Sequence, residues 1–165
     1  MKDLIKALIV IIILVIQLTI LNLFTLQGLK PDLILILIII FALLKGEGEG
    51  AVIGFFSGLL QDIFSVGLLG VNALIKTVAG FLCGLLKERI FSEHILFLIP
   101  LITLVVTIGK SCLMYVVLQA FGMQTSGLLW SIKQVAVPEA LYNGLLSPFF
   151  YLLINKLLEI IENKF

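Results

Sequence analysis

The sequence predicts an all-α integral membrane protein, a single polytopic domain over residues 1–165 with six transmembrane helices and both termini on the cytoplasmic side. Three observations predict it. Hydrophobic residues make up 61% of the chain and charged residues 13%, with a mean hydropathy of +1.26. Soluble domains are ~45–50% apolar and ~25% charged, so a water-soluble fold would expose apolar patches far beyond a few hundred Å². The apolar runs are long and do not alternate, which selects helices over strands as the structure that satisfies its backbone in lipid. The basic residues are distributed unevenly between alternate loops, as the positive-inside rule requires.

The six spans follow from the runs and their breaks. The first is about Leu4 to Leu26. Lys2 and Lys6 before it give a superficial look of a signal peptide. The uncharged run from Ala7 to Leu29 exceeds the ~7–15 residues of a signal sequence, and no small-x-small cleavage site follows, so a retained helix is expected. After the turn Gln27-Gly28-Leu29-Lys30, the second span begins at Pro31 and ends near Leu44. Lys45 to Gly50 reads as a polar, glycine-rich loop. The third span is Ala51 to Phe64, Ser65 to Gly70 is a turn, and the fourth is Val71 to Leu86. Lys87 to His94 is the most charged loop, and the fifth span is Ile95 to Phe121. Gly122 to Val137 is the longest connection; its stretch Leu128 to Lys133, with Trp130, has the pattern of a segment lying along the membrane surface. The sixth span is Pro138 to Leu158, followed by a charged tail. The second, third and fourth spans are short for a bilayer, which leaves five spans as the alternative count.

With both termini inside, Lys2, Lys6, Lys45, Lys87, Arg89, Lys156 and Lys164 are cytoplasmic, and only Lys30 and Lys133 lie outside. A net charge of +1 offers no basic stripe for nucleic acid. Cys83 and Cys112 sit in apolar runs and read as small apolar residues. His94 is the single histidine and falls in a loop, which removes mechanisms needing a histidine pair. No cofactor or metal site is expected.

Ionisable groups in a bilayer are costly and face a bundle interior or a polar cavity. Pro31-Asp32 and Pro138-Glu139 each place a proline at a helix start and an acid in its first turn, where both are favoured. Gly50, Gly54, Gly58 and Asp62 share one helix face, and Lys76, Gly80 and Gly84 share another. Folding that hairpin with Gly58 beside Gly80 and Gly54 beside Gly84 predicts close helix packing and an ion pair between Asp62 and Lys76. Lys110, sixteen residues into the fifth span, joins Asp32, Asp62, Asn72, Lys76 and Glu139 in the outer half of the membrane. A structural network, a docking site and the floor of a ligand pocket are the three readings of that cluster. Intramembrane protease signatures are missing: Gly54-Phe55-Phe56-Ser57-Gly58 has the wrong spacing for a rhomboid serine motif, and Asp62 follows Leu60-Gln61 rather than Gly-x-Gly. The asparagine motifs of lipoprotein signal peptidases do not surround Asp32 and Asp62.

Pro31-Asp32-Leu33, the charged glycine turn, Gly54-Phe55-Phe56-Ser57-Gly58-Leu59-Leu60-Gln61-Asp62 and Gly70-Val71-Asn72-Ala73-Leu74, with the late Pro138 and Leu141-Tyr142-Asn143, resemble the rod shape-determining protein MreD family. The resemblance covers the whole chain. It implies a non-enzymatic scaffold of the bacterial cell-elongation machinery in the inner membrane. The partner it implies is the bitopic protein MreC, and through it the actin-like MreB filament and the polymerase and transpeptidase that build lateral peptidoglycan. It also implies a fold related to the substrate-binding subunits of energy-coupling-factor transporters. A vitamin-capturing subunit of such a transporter is therefore the alternative function, although the first span has only Ala7 where those subunits carry an Ala-x-x-x-Ala face.

Overall fold

A computed structural model describes residues 30–65, 68–89, 95–123 and 127–164. The expected first span, the turn Gln27 to Leu29 and His94 lie outside them. The described residues are helical: α1 (Leu33–Lys45), α2 (Glu47–Phe64), α3 (Val71–Gly84), a 3₁₀ turn (Lys87–Arg89), α4 (Ile95–Ala120), α5 (Leu128–Ser131), a π-helical turn (Ile132–Ala136) and α6 (Val137–Lys164). No strand occurs among them. α4 is long and apolar enough to cross a membrane; α1 is more apolar still but has 13 residues, ~20 Å at 1.5 Å per residue.

α1 is the axle of the bundle. Its sequence is apolar on every side, and every residue from Leu33 to Leu43 is buried, the behaviour of a helix with no polar face to turn outward. One side, including Leu37 and Phe41, packs on Ile154 and Leu158 of α6 and on Ile53 and Leu60 of α2. The other, including Leu35 and Ile39, packs on Ala79 and Cys83 of α3 and on Ile99 of α4.

The loop expected over Lys45 to Gly50 shrinks to one residue. Gly46, at φ +104°, ends α1 and opens α2, a backbone setting only glycine adopts without strain. Glu47 and Glu49 then fall in the first turn of α2, where carboxylates complement the helix dipole. Gly48 and Gly50 are helical residues, not loop residues.

α2 and α3 form an antiparallel hairpin with backbones nearly touching. A methyl group at Gly50 would come 2.6 Å from the Gly80 carbonyl oxygen, and one at Gly58 2.6 Å from Ala73 Cα. A methyl at Gly54 would overlap the Lys76 carbonyl, and one at Gly84 the Glu47 backbone. The register differs from the expected one. Gly80 faces Gly50 rather than Gly58, a displacement of eight residues, or about two helical turns. The facing residues are symmetric about position 65, immediately after Phe64, whereas the expected pairs are symmetric about position 69.

The connection expected from Gly122 to Val137 is also shorter. Helix resumes at Leu128 and runs without a break through the π turn into α6, with Ile132 and Val137 in right-handed helical conformation. Pro138 therefore sits inside a continuous helix instead of starting one. Proline has no N–H for an i→i−4 bond, and a π turn immediately before it absorbs the interruption. The tail after Leu158 is helical as well.

Candidate functional site: a buried ion network centred on Asp32

Pro31 precedes the cap of α1, and Asp32 is the cap itself. Its Oδ1 accepts the Leu35 N–H at 3.0 Å, satisfying one of the donors a helix start leaves open. The Asp32 N–H donates to Asn143 Oδ1 of α6 at 2.9 Å. This fixes the end of the axle to a neighbour and points its carboxylate into the bundle.

Two lysines converge on that carboxylate. Lys76 of α3 is wholly buried. Its ammonium donates to Asp32 Oδ1 at 2.8 Å and to Gln61 Oε1 of α2 at 2.5 Å. Lys110 of α4 donates to Asp32 Oδ2 at 3.2 Å and to Glu139 Oε1 of α6. One turn along α6, Asn143 Nδ2 donates to Thr107 Oγ1 at 3.1 Å, and the Thr107 hydroxyl donates to the Thr103 carbonyl at 2.7 Å. Two carboxylates thus face two ammonium groups, so the network has no net charge when all four are ionised. Isolated charges at such burial would be prohibitive; paired and hydrogen-bonded, they are tolerated and tie α1, α2, α3, α4 and α6 together.

The residues expected to form one polar set divide into two. Lys76, Lys110 and Glu139 belong to the Asp32 network. Asp62 and Asn72 form a separate cap at the start of α3. Asp62 Oδ2 accepts from the Gly70 N–H at 2.9 Å and the Ala73 N–H at 3.1 Å, while Oδ1 accepts from the Asn72 N–H at 3.2 Å and Asn72 Nδ2 at 2.8 Å. Gly70, the residue at the N-cap position, has no side chain to do this. The expected ion pair between Asp62 and Lys76 is therefore replaced: Lys76 pairs with Asp32, and Asp62 is held level with the first turn of α3 by the backbone donors it caps.

Gln61 and Asn143 belong to the motifs that carry the family resemblance, but neither they nor Thr107 are expected members of the polar cluster. A signal existed for two of them. Asn143 lies four residues after Glu139 and so shares its helix face, and Thr103, Thr107 and Ser111 form a polar row at the same spacing beside Lys110.

Lys110 and Glu139 also line a cleft of about 460 Å³, in which Asn72, Ser111, Tyr115 and Ser131 stand among Ile75, Met114, Leu118 and Val135. Among the described residues, no group of three His, Cys, Asp or Glu side chains is placed to hold a metal ion.

Searches among curated proteins and among solved structures find no match. The family model of the rod shape-determining protein MreD matches residues 1–161. That match takes in the helix cap at Asp32, the hairpin glycines and every residue of the ion network, and on it the chain belongs to the MreD family, a family of membrane proteins that determine rod shape.

Proposed function

We propose that this protein is a multi-pass scaffold of the bacterial inner membrane, with six spans, N-in and C-in, that acts without catalysis in the cell-elongation machinery. The family match over residues 1–161 carries the reading. The uneven distribution of basic residues supports the topology. In this reading the chain is one membrane domain with the transporter-subunit type of helical fold, and its partner is an MreC-like bitopic protein. Contact with the MreB filament and the wall polymerase and transpeptidase runs through that partner. The Asp32 network supports a structural role, because its charges are spent on one another and on helix termini.

The test has two arms. Depletion in a cell with no second copy should turn rods into spheres, and normal rods would refute the role. Purification in mild detergent should recover an MreC-like protein. Recovery of an ATPase-coupled transporter core instead would assign the chain to the substrate-capturing class.

A further inference from the structure

The start of α6 combines a hinge with a charge. The π turn Ile132–Ala136 and Pro138 lie directly before Glu139. Proline withholds one helical N–H, a π turn interrupts the regular ladder, and sharp helix bends concentrate at these two features. Before the hinge, α5 and the π turn stand across a cleft from α4. Ser131 and Val135 form one wall, and Met114, Tyr115 and Leu118 form the other. The space of about 460 Å³ between them takes the place of close packing, so dispersion holds the two walls weakly.

Glu139 is the latch beside that hinge, since it joins α6 to Lys110 of α4. The two carboxylates of the network are not equivalent. Asp32 holds both lysines, and its side chain is 7% exposed. Loss of its charge strands the buried Lys76. Glu139 holds Lys110 alone, is 12% exposed at its side chain and lines the cleft. Loss of its charge leaves Lys110 with Asp32 at 3.2 Å. Glu139 is thus the carboxylate that can be neutralised with every lysine still paired, and it borders the cleft through which a proton arrives. The charged groups that face it are Lys110 from α4, Asp32 from the cap of α1 and Lys76 from α3. Tyr115 of α4 lines the same cleft, and Lys133 lies on the π turn.

We propose that Glu139 and the adjoining π turn form an acid-released hinge. With Glu139 ionised, the start of α6 is latched to α4. When its carboxylate takes a proton from water, the Lys110 ammonium stays charged and keeps Asp32, while α5 and the π turn swing away from α4 and widen the cleft. The side of the membrane on which acid acts follows from the topology proposed above; the hinge itself does not depend on it.

The size of the movement follows from the helix. Leu128 precedes Ala136 by eight residues, ~12 Å at 1.5 Å per residue. A bend of ~20°, the lower limit of a sharp kink, carries that end by ~4 Å. Spin labels at Val116→Cys and Leu129→Cys, both exposed positions, read the distance between α4 and α5. The full chain without Cys83 and Cys112 is held in lipid nanodiscs, which present both faces to one pH, so a wrong topology leaves the reading unchanged. Lowering the pH from about 8 to about 3.5, across the ordinary glutamate range, should lengthen the parent distance by ~4 Å. Glu139→Gln should show the long distance throughout. A second pair on α2 and α3, Val52→Cys with Leu82→Cys, should not move. A parent distance that stays constant, a Glu139→Gln distance equal to that of the parent at about pH 8, or equal lengthening of the second pair would each overturn the proposal. The first and last do so even if Glu139→Gln does not fold.

Discussion

Asp32 and Lys76 give the sharpest test of how the bundle is held. Asn at position 32 keeps a good helix cap but removes the charge. The Lys76 ammonium, with no exposed surface, would then face only neutral amide oxygens, those of Gln61 and of the asparagine put at position 32. Breaking a buried pair from one side costs about 3–5 kcal/mol, and that is the expected loss for Asp32→Asn. Lys76→Met should cost less, because Asp32 keeps Lys110 at 3.2 Å and the Leu35 N–H at 3.0 Å. Its main penalty is the unpaired oxygen of the half-buried Gln61, at most about 1–3 kcal/mol, the cost of a buried acceptor. The double variant returns the network to balance, with Lys110 and Glu139 as its remaining charges. Its loss should fall short of the summed single losses by about 1–3 kcal/mol, the coupling expected of residues in direct contact. The same cycle between Asp62→Asn and Lys76→Met should be additive within about 0.5 kcal/mol, since the two residues share no partner. Denaturation midpoints of the purified protein in detergent measure all of this. Additivity at positions 32 and 76, with coupling at 62 and 76, would refute the network and restore the sequence-based pairing.

Asp62→Ala should lower stability by about 1–3 kcal/mol in the same assay, because three N–H groups at the start of α3 lose a charged acceptor, and Asp62→Asn should recover part of it. Gly54→Ala should sharply reduce membrane abundance, since its methyl overlaps the Lys76 backbone, while Gly109→Ala should be neutral or gain up to ~1 kcal/mol from helix propensity. In a background without Cys83 and Cys112, an impermeant thiol reagent applied to whole cells should label Gly127→Cys and spare Gly48→Cys; labelling of both would overturn the proposed topology.

Apolar runs between polar breaks were enough to locate α1 to α4 to within a few residues at most ends, because α-helix is the economical way to bury uninterrupted Ile and Leu. The exceptions have specific causes. Gly46 to Gly50 looked like a loop because three glycines flank two acids. Only one glycine takes a left-handed backbone; Gly50 is there to let α3 approach, and the acids serve a helix start. Pro138 looked like a first helical residue, and the π turn that accommodates it leaves no mark in residue type. The members of the charged cluster were legible one by one, since buried Lys, Asp and Glu stand out in such a sequence. Their pairing was not, because it depends on where the hairpin reverses. The Asp62 carboxylate helps fix that by gripping backbone N–H groups, a bond to which side-chain spacing is blind.

The two devices divide the work of holding the bundle. In lipid, burying Leu against Leu gains little over burying it against acyl chains, so apolar area does not decide which helices pair. Close backbone contact does so for α2 and α3, whose glycine faces accept each other and few alternatives. Most other helix contacts are bulkier: apart from Ala42 against Gly50, α1 presents mainly Ile, Leu and Phe, so apolar area alone holds its register weakly. What removes that freedom is the Asp32 carboxylate at the end of α1. It must meet Lys76 from α3 and Lys110 from α4 at once, while its own N–H meets Asn143 of α6. A one-turn slip of α1 moves the carboxylate ~5.4 Å and strands both lysines, an error far costlier than any loss of apolar contact. The polar network therefore supplies register, and the oily axle supplies bulk. The scaffold role proposed above would need that combination, because a surface recognised by a partner is defined only when the helices that build it cannot slide.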